Sequence, residues 1–257
     1  MSAFDVTAPN WNQIKQANVT GAASLASDGG VILPTSQGDL HITFHTFGVR
    51  LRIGISGQAD YGLLVTTPDI ISPDIVNSEQ QCTLIAGDSK LVINHTPFTF
   101  ELFQGNKSVQ QTANDGHFVR RYRLPPLAKV DEGWLISLEL GTEEAVYGLG
   151  EKWASLNKRG QLVRSYNHDA LGVNAEISYK NTPFCWSPSG WGVFVHTPSP
   201  VTHAVGYATW SQRSYGVLVE DEALDIFLMH GDDGQAIINT YTDLTGKAPT
   251  PPVWSLG

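Results

Sequence analysis

Alternation with a period of two runs through most of this chain, and no other feature constrains its fold so tightly. In "LHITFHTFGVRLRIGI" one face carries Leu40, Ile42 and Phe44, but beyond Gly48 the apolar set moves to Val49, Leu51, Ile53 and Ile55, the opposite parity. Successive side chains of a strand point to opposite faces, so a parity switch beside a glycine predicts a bulge or a break between two strands. Further alternating runs are "FTFELF" (Phe98, Phe100, Leu102), "HFVRRYRL" (Phe118, Tyr122, Leu124) and "GWLISLEL" (Trp134, Ile136, Leu138, Leu140), then "GVFVH", "VTHAVGY", "YGVLVE" and "ALDIFLMH". Turn signals separate them at Asp28-Gly29-Gly30, Asp115-Gly116, Asp131-Glu132-Gly133 and Ser189-Gly190. Many short strands punctuated in this way predict an all-β fold, an antiparallel β-sandwich.

One stretch has helical spacing instead. In "DDGQAIINTYTDLTGK" Asp232 or Asp233 can cap the start, Ile237, Tyr241 and Leu244 share a face, and Gly246 sits where a left-handed C-terminal cap belongs. A short C-terminal helix is therefore expected. The proline pairs Pro125-Pro126 and Pro251-Pro252 mark extended connectors. The organisation expected is a sandwich domain over residues 1–246, then a linker and an apolar burst over 247–257.

Of the 257 residues 41% are hydrophobic, with seven Trp, eight Tyr and ten Phe, which suffices for a sizeable core and excludes disorder for most of the chain. The formal net charge of −9 argues against nucleic acid or an anionic membrane as the main partner. No stretch approaches the roughly 18 apolar residues that span a bilayer. The opening "MSAFDVTAPNWNQIKQ" lacks the basic and apolar regions of a secretory signal. Cys82 and Cys185 are too few for a disulfide framework, and two free thiols in a reducing cytoplasm are expected.

Motifs of catalysis are absent: there is no His-Glu-x-x-His, no Cys-x-x-Cys, no phosphate-cradling glycine loop and no Gly-x-Ser-x-Gly elbow. Neither a metal nor a cofactor is expected. In "YGLGEK" Gly148 and Gly150 permit a tight approach of strand and loop rather than nucleotide binding. The eight histidines are scattered and read as surface or satisfied core residues. The most polar and least strand-like segment is "RSYNHDALGVNAEISYKNTPF", which offers Tyr166, Asn167, His168, Asp169, Asn174, Glu176, Tyr179 and Lys180. Amide and carboxylate groups bond vicinal hydroxyls, and aromatic faces pack on the C–H surface of a sugar ring, so this mixture suits carbohydrate. An ordinary long loop held by an Asx turn is the plainer reading. Hydrolysis by this segment would need two carboxyl groups roughly 5–5.5 Å apart for retention or 6.5–9.5 Å for inversion. Asp169 and Glu176 form the one near pair, nothing in their spacing makes them converge, and no catalytic residue is assigned.

Two longer stretches, "EAVYGLGEKWASLNKRGQLVRSYNHD" and "YKNTPFCWSPSGWGVFVHTP", resemble the N-terminal domain of glycoside hydrolase family 31, which holds retaining α-glucosidases and α-xylosidases. The resemblance rests on Tyr147–Glu151 (Tyr-Gly-Leu-Gly-Glu), on Tyr166-Asn167-His168-Asp169 where the family has Trp/Tyr-Asn-x-Asp, and on Tyr179–Phe184 (Tyr-x-x-x-Pro-Phe). It continues in "PPVWSLG", the element that opens the family's catalytic barrel. It implies a galactose-mutarotase-like supersandwich packed on a (β/α)8 barrel that holds both catalytic aspartates, so the chain alone is expected to be inactive. By the same resemblance Asp169 bonds sugar hydroxyls, with His168 and Asn167 beside it in the substrate-binding loop. Tyr166 stands where Trp is commoner, and "SYKNTPF" leans toward the α-xylosidase branch. Val253, Trp254 and Leu256 would begin the first barrel strand, and without the barrel would pack on the sandwich or fray. The implied partners are an α-linked glucoside or xyloside and the barrel itself. An apolar face turned to the barrel implies self-association, a homo-oligomer, when it is bare.

Two other classes remain open. A freestanding carbohydrate-binding module needs an exposed aromatic platform and affinity of its own, whereas no binding tighter than millimolar is expected here. An aldose mutarotase needs convergent His and Glu side chains on the concave sheet, a set that spacing does not assemble.

Overall fold

The computed structural model describes residues 14–54, 61–113, 124–131, 133–169 and 177–256, with Leu256 in its backbone only. The expected strand over "HFVRRYRL", the turn at Asp115-Gly116, and Ile55, Asn174 and Glu176 fall outside the described residues, apart from Leu124. Elsewhere the period-two runs are strands, all paired antiparallel. The parity switch at Gly48 is a break: strand Gly38–His45 turns through Thr46-Phe47 into Gly48–Ile53, its hairpin partner.

Among the described residues the strands form three sheets. The eight-stranded sheet runs in the order Tyr147–Gly148, Phe184–Ser187, Trp191–Val195, Leu224–His230, Gly48–Ile53, Gly38–His45, Val31–Thr35, Ser24–Leu25. The six-stranded sheet runs Lys15–Gln16, Leu127–Val130, Gly133–Glu139, Ser214–Val219, Val201–Val205, Gln161–Ser165. A five-stranded sheet, residues 74–111, meets the six-stranded one through the bridge between Thr112 and Leu138. Residues of one parity from all three sheets share a single apolar cluster, among them Ile42, Leu51, Val193, Leu84, Phe100, Trp134 and Val217. This is the sandwich interior, and the alternation exists to fill it.

The outer face of the eight-stranded sheet is also covered. Helix α1, Gly234–Thr245, lays Ile237 and Leu244 on Phe184, Phe194, Phe227 and Met229. Asp233 caps it, its carboxylate accepting the Ala236 N–H at 2.8 Å, and Gly246 closes it at φ 97°. Gly192 makes the contact close: a Cβ there would lie 2.4 Å from Ile237 Cγ2. Beyond the helix Arg50 grips Asp225 with two hydrogen bonds, Nε to Oδ1 at 2.7 Å and Nη2 to Oδ2 at 2.5 Å. His196 Nδ1 reaches the same Oδ2 at 2.8 Å. No helix among the described residues is long and apolar enough to cross a membrane.

The cysteines are free and buried, and burial pushes Cys82 up to about 11 and Cys185 to about 12. Between the layers Cys185 Sγ meets the Tyr215 hydroxyl at 3.3 Å, and that hydroxyl meets His203 Nδ1 at 2.7 Å. Burial, aided by the charge of Lys152, lowers His203 to about 3. An unfolded histidine takes up its proton near pH 6.5, so between about 6.5 and 3 the unfolded chain binds a proton that the fold refuses. Stability from this group is complete above pH 6.5 and falls as the pH drops, by up to about 1.4 kcal/mol per unit. Thermal melts from pH 7 to 5 are expected to show a falling Tm, with a flatter slope in His203→Gln; parallel slopes would contradict this.

Of the two outcomes expected for the end of the chain without a barrel, packing on the sandwich is not the one seen. Val253–Leu256 is a 3-10 turn, with the Ser255 N–H donating to Pro252 O at 2.9 Å. Val253 and Trp254 are 86% and 82% exposed, so neither packs on the sandwich. Val and Trp favour strands only where a neighbouring strand takes up their backbone groups, and among the described residues none is paired with them.

Candidate functional site

The polar loop joins the two layers of the sandwich. Its first stem leaves the edge strand Gln161–Ser165 of the six-stranded sheet, and its second enters Phe184–Ser187 of the eight-stranded sheet. Its first stem is fixed by Arg164, which pairs with Glu220 through both guanidinium nitrogens, and by Lys152, whose Nζ donates to Arg164 O at 3.0 Å.

A single asparagine holds the stems together. The Asn181 backbone N–H donates to Asn167 Oδ1 at 2.8 Å, and its side-chain amide lies within bonding distance of Tyr166 O, Ser178 O and Asn167 Oδ1 at 2.8, 2.9 and 3.1 Å. Ser178 Oγ donates to Asn181 Oδ1 at 3.1 Å, and the His168 N–H to Ser178 O at 3.2 Å. The Tyr166 and His168 rings meet edge to face at 5.0 Å. The second stem is tied down in turn by the Glu151 N–H on Lys180 O at 2.8 Å. Gly150 permits that approach, since a Cβ on it would lie 2.4 Å from Lys180 O, and Gly148 stands equally close to Phe184 O. Both have positive φ, as does buried Leu149 between them. The tight approach expected of "YGLGEK" is therefore present, and it serves the loop.

This scaffold treats the three predicted residues differently. Asp169 is exposed, and its side chain takes part in none of the hydrogen bonds among the described residues. His168 is half-buried against Tyr166. Asn167 is exposed, and its oxygen accepts from Asn181, which leaves its NH2 outside that clasp. Asn181 was not singled out from the sequence, although a side chain that can bond backbone groups on both stems is the natural clasp for such a loop. Its removal is expected to free the stems without unfolding the sandwich: in Asn181→Ala, hydrogen exchange at the His168 amide should accelerate at least about tenfold while core amides keep their protection. Unchanged exchange at His168 would deny Asn181 this role.

Beneath the loop its stems form one wall of a cleft of about 570 Å³. Asn167 reaches that wall; His168 and Asp169 do not. The opposite walls come from the turn at Thr197–Ser199 and from the end of α1 at Tyr241 and Thr245. These residues are remote in sequence, and no local pattern could have joined them. Among the described residues no group of three His, Cys, Asp or Glu side chains could hold a metal ion.

Residues 39–203 match the family model described as the glycosyl hydrolase 31 N-terminal galactose mutarotase-like domain. An alpha-xylosidase of Emericella nidulans is 40% identical over 255 residues, covering 98% of this chain and 30% of that protein. Alpha-xylosidase XylQ of Lactiplantibacillus pentosus is 35% identical over 120 residues, which is 47% of this chain and 15% of the relative. Among solved structures, the GH31 dextranase of Flavobacterium johnsoniae, complexed with isomaltotriose, superposes with a TM-score of 0.78 at 20% identity, over 95% of this chain and 30% of its own. A GH31 alpha-xylosidase from a soil metagenome, complexed with xylose, gives 0.69 at 18% identity, over 92% and 36%. The chain thus spans about a third or less of the length of these proteins.

Proposed function

The chain belongs to glycoside hydrolase family 31 as its N-terminal β-sandwich domain, and from that premise we propose that it serves a retaining α-glycosidase of the α-xylosidase or α-glucosidase type without carrying out chemistry itself. Its task is to pack on the catalytic barrel and to hold the loop with Asp169 over the mouth where sugar binds. The observation that carries this is the 40% identity to an alpha-xylosidase along nearly the whole chain, together with an exposed Asp169 on a loop pinned by Asn181.

Barrel chemistry sits at the C-terminal ends of barrel strands, which lie outside this domain. What the domain adds is selection. An ionised carboxylate that accepts two hydroxyls makes charge-assisted bonds of about 1.5–3 kcal/mol each, and the clasp beneath it means that little ordering is left to do on binding. Trp153 and Leu156, 78% and 81% exposed on the loop after "YGLGEK", supply apolar surface for the barrel. The two unbridged thiols support a reducing compartment, the cytoplasm.

The test is a domain exchange in which this chain replaces the corresponding N-terminal domain of the Emericella nidulans alpha-xylosidase. The joined protein should hydrolyse an aryl α-xyloside, whereas that barrel alone and this chain alone should not. Turnover by this chain alone, or mutarotation of freshly dissolved glucose by it, would overturn the proposal.

A further inference from the structure

The cleft beneath the loop has a wall chemistry of its own. No charged side chain lines it among the described residues. Three of its hydroxyl groups already donate within the protein: Asp221 Oδ2 accepts from Thr197 Oγ1 at 2.6 Å and from Ser199 Oγ at 2.8 Å. Thr245 Oγ1 likewise gives its proton to Tyr241 O at 2.8 Å. These three oxygens keep lone-pair capacity for a guest, although Thr197 Oγ1 also accepts the Ser199 N–H at 3.0 Å, and the hydroxyls of Tyr166, Thr182 and Tyr241 in the same wall can donate, so the wall offers acceptors and donors together. A further donor is Asn167, whose oxygen Asn181 occupies and whose NH2 it leaves.

The apolar part of the wall is aromatic and rigid. Tyr241 is stacked on Phe184 at 4.0 Å and 7°, and meets Phe194 edge-on at 5.2 Å. The wall suits a guest that both donates and accepts hydrogen bonds, presents a C–H face to a ring, and carries no charge. An anion would find no cation in the wall and Asp221 behind it, while a wholly apolar guest would leave the oriented hydroxyl oxygens unpaired. A volume of about 570 Å³ lies within the range for small-molecule sites and suits one or two sugar rings.

We propose that this cleft is a second binding site, for a neutral mono- or disaccharide, whose wall includes Asn167 of the polar loop but not Asp169. Its existence does not depend on the role assigned to Asp169, which lies outside its wall. The site gives the domain a hold on sugar in the absence of any barrel, with an affinity in the millimolar range.

Two-dimensional amide NMR of the 257-residue chain tests this, with xylose and isomaltose as probes and glucuronate as the charged control. Saturable shifts are expected at Thr182, Thr197, Ser199 and Thr245 for the neutral sugars, with glucuronate much weaker. Ser199→Tyr, which fills the cleft, should weaken binding at least about tenfold, and Thr245→Val, which removes one acceptor and keeps the shape, by about threefold. Asp169→Ala should leave the titration unchanged. The proposal is overturned by no shifts up to about 100 mM sugar, by equal binding of glucuronate, by full affinity in folded Ser199→Tyr or Thr245→Val, or by shifts that vanish with Asp169→Ala.

Discussion

Asp225→Ala is expected to cost the fold about 3–5 kcal/mol, the penalty for removing one partner of a buried ion pair. Its carboxylate accepts two bonds from Arg50 and one from His196, and the side chains of all three are at most 15% exposed. Arg50 also lies over the Phe227 ring at 4.6 Å, so after the substitution its charge would remain beneath the surface with an aromatic face but no counter-ion. Burial alone would raise Asp225, but the hydrogen bonds and charges of Arg50 and His196 hold it below the usual carboxylate value. Its contribution is therefore present above the unfolded value of about 3.9 and is lost as the pH falls through the lower native one. The deficit of Asp225→Ala should accordingly be full at pH 7 and shrink below about pH 4. Replacing both partners, Arg50→Met with Asp225→Leu, should recover much of the loss, because no unpaired charge remains. Urea unfolding of the two variants checks both statements. A single-variant cost under about 1 kcal/mol would mean that the pair is solvated.

Gly150→Val should damage the loop and the fold together. The backbone there has φ of 80°, which a β-branched residue adopts only under strain of about 1–3 kcal/mol. The new Cβ would also fall 2.4 Å from Lys180 O and 2.7 Å from Thr182 N, on either side of Asn181. Relief requires the second stem to move away, and Asn181 moves with it. The expected result is a Tm lowered by at least about 4 °C, given roughly 2–4 °C per kcal/mol in a chain of this size, with fast exchange at the His168 amide as in Asn181→Ala. A variant with the parent's Tm and exchange would show that the approach of Gly150 to Lys180 does not hold the loop.

What could be read from the sequence follows the range of the interactions. Strand alternation, the break at Gly48 and the cap positions Asp233 and Gly246 are local, and local pattern sufficed, although Gly246 at φ 97° and ψ 141° is not in the left-handed helical conformation expected. The alternation of Trp191–Val195 and Leu224–His230 is blurred because both faces are buried, one in the sandwich and the other under α1 and the charged cluster. A two-layer reading does not anticipate that cover. "VWSL" reads as the opening of a barrel strand, and with no barrel present it forms a 3-10 turn, which does not bear on that reading. At the candidate site the composition of the loop and the resemblance single out Asp169, and the structure adds that it is exposed. Asn181 and the cleft were not legible in the sequence, because they depend on contacts between segments as distant as Asn167, Ser199 and Tyr241.

The most direct measurement is the kinetics of Asp169→Ala in the domain-exchange enzyme. If the domain lends this carboxylate to the sugar site, kcat/KM for an α-xyloside should fall by about 1.4–3 kcal/mol, roughly ten- to 150-fold, with the Tm unchanged. Kinetics equal to those of the unsubstituted exchange enzyme would remove Asp169 from the site and leave the domain a purely structural role.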